Sequence, residues 1–318
     1  MIKILQGNCI DKIKELDDNS IDCVVSSPPY FGLRDYGVDG QFGLEKTYYD
    51  YLVNTVKVFK TFKPKLKDTA TIWWNVGDSY HNYRPTNNKQ GMYKKPDYPK
   101  QSIAGNRQDL PKHSLKRNQR YQEIKEKDLM MIPNRVAIAL QDAGWYIRSE
   151  IIWHKPNPMP ESVRDRPTSC HEKIWLITKN KKYYYDHEAI KEPAKNWGTR
   201  DRKKGSAFVD ATPGRSKQTG GKDCNFAEKG KNKRNVWTIT TKPFKDAHFA
   251  TFPKDLIEPC IKAGCPEGGV VLDPFGGSGT TGIVAALNNR NAILIELNQN
   301  YIDIANKRID KEVGLFSG

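Results

Sequence analysis

The chain has 318 residues, 37% of them hydrophobic, and carries 52 Lys and Arg against 37 Asp and Glu, a formal net charge of +15. That length is enough for one large α/β domain with insertions or for two smaller domains, and the charge bears on partners, pointing to a polyanion. No stretch approaches the roughly 18 uninterrupted apolar residues of a membrane helix, and the six scattered cysteines form no Cys-x-x-Cys pair, so the expectation is a cytoplasmic protein with reduced thiols.

In chain order, "IKILQGNCI" and "SIDCVVSS" read as short strands around a helical stretch from about Asp11 to Leu16. "SSPPYFGLRDYG" follows the second strand directly. Prolines cannot donate to a ladder, so that strand must stop at Pro28. "YYDYLVNTVKVFKTFKPKL" has helical apolar spacing ended by Pro64, and "TATIWWNVGDSY" reads as a strand and polar turn. From about His81 to Lys127 the chain is polar and basic, which predicts a surface insertion that is partly disordered alone. Met130 to Ala143 is an amphipathic helix with Gly144 at its C-terminal end. "WYIRSEIIW" alternates as a strand, and "EKIWLITKNKKYYYD" is a further strand with a turn. Glu188 to about Arg234 is dominated by Lys, Arg, Gly, Asn and Thr, and "FPKDLIEPCIKAG" is helix-like again.

The segment "GGVVLDPFGGSGTTGIVAALNNRNAILIELN" has the grammar of a nucleotide-binding βαβ unit. Gly269 to Leu272 supply a buried strand with Asp273 at its carboxyl end. Gly276, Gly277 and Gly279 make a turn that lets a ligand approach backbone N–H groups, and Thr280 to Leu287 begin a helix. "AILIE" is the second parallel strand, ending in Glu296, an acid placed to accept hydrogen bonds from ribose hydroxyls. No Gly-Lys-Ser/Thr follows the glycines, which disfavours a Walker-type phosphate loop. Taken alone, this unit would also serve a nicotinamide-dependent oxidoreductase.

Together, "DPFGGSGTT" and "SPPY" resemble the S-adenosylmethionine-dependent DNA methyltransferases that modify exocyclic amino groups of bases. Their order, with "SPPY" first and the glycine motif last, resembles the β class of that family. The resemblance implies an α/β, Rossmann-like methyltransferase fold: a mostly parallel sheet with helices on both faces, a circularly rearranged motif order and basic insertions. It divides the chain into a catalytic half (1–80), a basic insertion (81–128), continued core (129–187), a target-recognition insertion (188–235) and a cofactor-binding half (236–318). The cofactor implied is S-adenosyl-L-methionine, with Gly7, Asn8, Cys9, Phe252, Pro253, Asp273, Phe275, Gly277, Ser278, Gly279, Thr280 and Glu296 around it. Asn8 departs from the family's Gly-Asp pair. The catalytic group implied is Ser27, Pro28, Pro29 and Tyr30.

The chemistry suits those residues. An exocyclic amino nitrogen is conjugated with its ring and is a poor nucleophile, so acceptors for both its hydrogens would draw the lone pair out of conjugation. Ser27 Oγ and the Pro28 carbonyl are such acceptors, and Tyr30 would stack on a base flipped out of the duplex. Direct in-line displacement needs no covalent enzyme intermediate. Pro259-Cys260 sits in a helix-like run and reads as packing, His171-Glu172 as ordering local structure, and no metal-ligand spacing is found. Double-stranded DNA is the expected partner, bound through phosphate neutralisation. Arg200, Arg202, Lys203, Lys204, Arg215 and Arg234 are candidate contacts, with Lys112, Lys116, Arg117 and Arg120 competing. A homodimer and a cognate restriction endonuclease acting on the same site are further partners that the resemblance allows. "SPPY" leans to cytosine N4, with adenine N6 as the alternative; a non-catalytic nucleic-acid-binding module would explain the charge alone.

Overall fold

A computed structural model of the chain describes residues 1–33, 35, 37–81, 124–193, 230–241 and 252–314. Strands β1 (Ile2–Gln6), β2 (Ile21–Ser26), β3 (Leu66–Val76), β4 (Tyr146–His154), β5 (His171–Thr178), β6 (Val236–Thr238), β7 (Val270–Asp273) and β8 (Asn291–Glu296) form one sheet. Their spatial order is β1-β8-β7-β2-β3-β5-β4-β6. Every neighbouring pair is parallel except the two made by β5, with β3 and β4. Helices α1 (Cys9–Lys14), α2 (Tyr48–Phe62) and α3 (Ile132–Asp142) supply Ile13, Phe59 and Val136 to the core on one face. Helices α4 (Lys254–Gly264) and α5 (Thr280–Leu287) supply Leu256, Cys260 and Val284 to the core on the other. Helix α6 (Gln299–Glu312) packs against α5, β1 and β8. The expected α/β, mostly parallel, Rossmann-like architecture is what forms.

Local sequence explains most boundaries. All six residues of β2 are buried, as a central parallel strand covered on both faces requires. Thr47 caps α2 by accepting from Asp50 N at 3.0 Å, and the helix gives way to a 3₁₀ turn containing Pro64. Helix α1 starts before the predicted Asp11 because the Asn8 side chain accepts from Ile10 N at 2.9 Å and caps it at Cys9. Helix α3 starts later than predicted because Met131 is left-handed, with φ 56°. No element was predicted over α6, where only Ile302 and Ala305 are buried in a strongly polar run. Asn298 caps it, accepting from Asn300 N at 2.9 Å.

The described ends of both basic insertions meet in backbone pairs. His81 N donates to Asp128 O and Lys127 N to His81 O, both at 2.8 Å; Glu192 and Lys231 exchange two bonds of 2.8 Å. The described ends of each excursion therefore lie side by side. The rest of both insertions, 82–123 and 194–229, lies outside the described residues. Ile190, inside the span read as target recognition, is buried in the core.

The chain leaves β2 towards β3 on one side and leaves β7 towards β8 on the other. The carboxyl ends of β2 and β7 therefore flank a topological switch point, where open α/β sheets bind ligands. The β2–β7 ladder itself is only two residue pairs, Cys23 with Val271 and Val24 with Leu272.

Helix α4 approaches β3 so closely that a Cβ at Gly264 would lie 2.3 Å from both Thr71 Oγ1 and Trp73 Nε1. Thr71 Oγ1 also donates to the Gly264 carbonyl at 2.9 Å, so neither side has room to yield. Gly264→Ala should cost about 1–3 kcal/mol by overpacking and lower Tm by several degrees, read by calorimetry against the unaltered chain.

Candidate active site

A cavity of about 1180 Å³ opens at this switch point. Its walls include Ser27, Pro28, Pro29 and Tyr30 after β2, and Asp273, Phe275, Gly276, Gly277, Ser278 and Thr280 after β7. Gly7, Asn8 and Cys9 after β1, Glu296 at the end of β8, and Phe252 complete the side read as cofactor-binding. Two motifs almost 250 residues apart thus face one space. Pro253 and Gly279 are absent from this wall: Pro253 caps α4, and Gly279 caps α5 at φ 81°, where a Cβ would meet Ala305 at 3.0 Å. A smaller cleft of about 350 Å³, with Tyr184, Lys262 and Arg290 among its walls, contains none of the candidate residues.

On the β2 side, the prolines end the strand and the next polar groups turn inward. Ser27 Oγ donates to Tyr30 Oη at 3.1 Å. Tyr30 Oη lies 2.6 Å from Glu172 Oε2 and 3.0 Å from Asn75 Oδ1, two acceptors for its single hydrogen, with the Glu172 oxygen the nearer. Burial and the charge of Glu172 push the phenol well above its ordinary pKa. Tyr51 Oη donates to the Pro29 carbonyl at 3.3 Å and braces the turn. Gly77 backs the Tyr30 ring, because a Cβ there would stand 2.5 Å from its Cε2.

On the β7 side, Asp273 is 1% exposed and its carboxylate is spoken for. Oδ1 accepts from Ser26 Oγ at 2.6 Å and Phe275 N at 3.0 Å, while Oδ2 accepts from Thr281 Oγ1 at 2.6 Å. Although it lines the cavity, its hydrogen bonds tie β2 to α5. Burial outweighs those bonds and pushes its carboxyl up to about 6. Glu296 accepts from Gly277 N at 2.9 Å and Asn298 N at 2.8 Å, with burial raising its pKa. Gly277 is left-handed, with φ 50°, a conformation glycine adopts without steric cost. Arg308 of α6 donates to Ser278 O, Ser278 Oγ and Thr280 Oγ1 at 2.7, 2.8 and 3.0 Å, which turns both hydroxyls towards the protein. Gly7 N donates to Glu296 O at 3.0 Å and brings the β1 loop to the same corner.

The lining is acidic: Glu45, Asp78, Glu161, Glu172, Asp273 and Glu296 face Lys155, the one Lys or Arg among the described lining residues. Glu45 Oε2 is buried with no hydrogen-bond partner in the protein, leaving an acceptor open to a donor from water or a ligand. Cys260 lies outside this wall inside α4, 1% exposed, with burial pushing its thiol up. Of the candidate DNA contacts only Arg234 is described: its Nε donates to Glu192 at 3.2 Å and its side chain is 72% exposed. Arg200, Arg202, Lys203, Lys204 and Arg215 lie outside the described residues, as do Lys112, Lys116, Arg117 and Arg120.

Sequence reading missed Asn75, Gly77, Lys155 and Glu172 as members of this site. The usable signal is Glu172 itself, an acid entering the apolar strand "IWLIT" next to a histidine, a pair that by sequence alone reads as ordering local structure.

Residues 21–307 match a protein-family model described as DNA methylase, of the N6/N4 methyltransferase type. The chain is 42% identical over 311 residues to Type II methyltransferase M.Cfr9I of Citrobacter freundii, covering 97% of this chain and 88% of that one. It is 42% identical over 307 residues to M.SmaI of Serratia marcescens, covering 96% and 90%. In structure it is similar to a PvuII DNA methyltransferase described as cytosine-N4-specific, with a TM-score of 0.62 at 17% identity over 96% of this chain and 86% of that one. It is also similar to M1.HpyAVI in a complex with SAM, with a TM-score of 0.53 at 17% identity over 98% and 100%.

The raised Asp273 carboxyl has a consequence for stability. Its folded pKa of about 6 exceeds the unfolded value of 3.8, so the native state takes up the proton first. The contribution is fully present below about pH 4 and is lost as pH rises through about 6. Relative to Asp273→Asn, the unaltered protein should lose on the order of 1–3 kcal/mol between pH 4 and pH 7. Urea unfolding at several pH values measures it, and a pH-independent difference would contradict the assignment.

Proposed function

The chain belongs to the N6/N4 DNA methylase family, and from that premise we propose that it methylates the N4 amino group of a cytosine flipped out of double-stranded DNA, using S-adenosyl-L-methionine. The observation that carries the reading is the single cavity walled by Ser27–Tyr30 on one side and by Gly276–Ser278 and Glu296 on the other. The cofactor supplies an electrophilic sulfonium methyl. Its fit is supported by the acid-lined wall, which suits a cationic ligand, and by the donorless Glu45 Oε2. Glu296 would take the ribose hydroxyls with its remaining lone pairs, and the backbone around Gly277 would admit the ligand closely. Gly7, Asn8 and Cys9 would border the adenine end. Phe252, with Pro253 behind it, would close the far wall, and Phe275 would close the near one.

The base would be held by the residues after β2. Ser27 Oγ and the Pro28 carbonyl would each accept one amino hydrogen and draw the nitrogen lone pair towards the methyl group, while Tyr30 would stack on the ring. Held in line, the nitrogen would attack directly, and orientation would carry much of the rate. Cytosine C5 chemistry would need an activated thiolate, and Cys260 is sequestered in α4. Serine at position 27 favours cytosine, and the fold neighbour described as cytosine-N4-specific is consistent with it. Adenine N6 is the second reading, since a serine hydroxyl can accept from either amino group. Relatives named Type II methyltransferases support a place beside a restriction endonuclease that cuts the same site.

Digestion of methylated DNA to nucleosides and chromatography should yield N4-methylcytosine; N6-methyladenine would move the chain to the second reading, and 5-methylcytosine would overturn both. Ser27→Ala should slow single-turnover methylation about 10- to 100-fold while calorimetric affinity for S-adenosylmethionine holds. With a net charge of +15, DNA affinity should fall by about 10³-fold or more between 50 and 200 mM salt. A flat response would contradict phosphate-driven binding.

A further inference from the structure

The hydrogen bonds behind Ser27 have a direction. A serine hydroxyl carries one hydrogen and two lone pairs, so Ser27 can offer a lone pair to an amino group only while its own hydrogen is held elsewhere. Tyr30 Oη takes that hydrogen, 3.1 Å away. The phenol hydrogen must then point to a third group, and both remaining neighbours are acceptors: Glu172 Oε2 at 2.6 Å and Asn75 Oδ1 at 3.0 Å. Asn75 is kept in that orientation because its Nδ2 donates to the Lys173 carbonyl at 3.1 Å. The other Glu172 oxygen accepts from Lys155 Nζ, whose ammonium also sits 4.3 Å from the centre of the Trp153 ring. Salt-bridged in this way, Glu172 is a carboxylate and can only accept.

We propose that Glu172 is a positioning residue that fixes the polarity of the chain Ser27 to Tyr30 to Glu172, and so keeps the Ser27 lone pairs turned towards the target amino group. The proposal rests on reading Ser27 as the amino-hydrogen acceptor. Glu172 touches neither base nor methyl donor in this account. It acts 142 residues away in sequence from Tyr30, through the one hydrogen that the phenol owns. Reversal of the chain would aim the Ser27 hydrogen at the amino hydrogens, a donor facing a donor.

Glu172→Gln tests this, because the amide is nearly isosteric and still accepts from Lys155 but can donate to Tyr30 Oη, which leaves the more distant Asn75 Oδ1 as the phenol's one remaining acceptor and lets the chain reverse. Single-turnover methylation by the full-length variant should fall about tenfold or more, and by more than any change in its dissociation constants for S-adenosylmethionine and for substrate DNA. Glu172→Asp keeps an acceptor-only end and should recover part of the rate. Tyr30→Phe removes the link, so adding Glu172→Gln to it should cause no further loss. A merely structural role would weaken binding together with rate and would make the two substitutions multiply. Glu172→Gln at the original rate, or multiplying effects, overturns the proposal. Should Glu172→Gln lose its circular dichroism, Tyr30→Phe at the original rate overturns it equally. If the unaltered protein methylates no amino group, the functional reading fails; if it does and Glu172→Gln matches it, only this inference fails.

Discussion

The seam between β2 and β7 joins the start of the chain to its end, and the site depends on it. Two residue pairs make up that ladder, too few to fix a register firmly on their own. A buried carboxylate closes each end. Asp22, 6% exposed, accepts from Lys67 Nζ at 2.8 and 2.9 Å and from Val270 N at 2.9 Å. Asp273 accepts from Ser26, Phe275 and Thr281 at the other end. A carboxylate taken out of water costs several kcal/mol unless donors replace the water, and here all the donors but the local Phe275 N come from other elements: Lys67 and Val270 on Asp22, Ser26 and Thr281 on Asp273. The energy of burial is thereby converted into alignment: Ser26 is clamped to the strand that starts the glycine turn, and Ser27 follows it.

That alignment gives the cavity its chemical character. Proximity effects are lost when reacting groups drift by about an ångström, so a site assembled from opposite ends of a chain needs a stiff joint. Charge is divided to match. The chain as a whole is strongly basic, whereas the cavity at the seam holds six acids against one lysine. In the proposed reading the basic exterior attracts phosphates, and the acidic interior receives a cationic methyl donor.

Much of this was legible in the sequence, and the remainder was hidden for physical reasons. The two strands of the seam are short apolar runs ended by distinctive residues, Pro28 and Asp273, so strand, stop and turn could be read locally. The glycine turn and Glu296 follow from the same local grammar. Glu172 and Asn75 could not be found that way, because only the antiparallel pairing of β5 with β3 sets Lys173 opposite Val76 and Ile174 opposite Asn75 and brings that end of the sheet to Tyr30. Asp273 lines the cavity as a candidate cofactor residue, and its bonds to Ser26, Phe275 and Thr281 are not visible in a local pattern. Helix α6 escaped notice because it buries only a thin stripe, yet its Arg308 decides which way Ser278 and Thr280 face. Pattern reveals which elements exist, and the sheet order decides which side chains meet.

The most direct test of the account is a crystal structure of the full chain with a non-reactive cofactor analogue and a duplex carrying the target site. The account predicts one base extruded into the cavity at the seam, its amino nitrogen about 3 Å from Ser27 Oγ and the Pro28 carbonyl and its ring against Tyr30, with the analogue's ribose at Glu296. A base left stacked in the duplex, or an analogue bound away from the turn after β7, would contradict it.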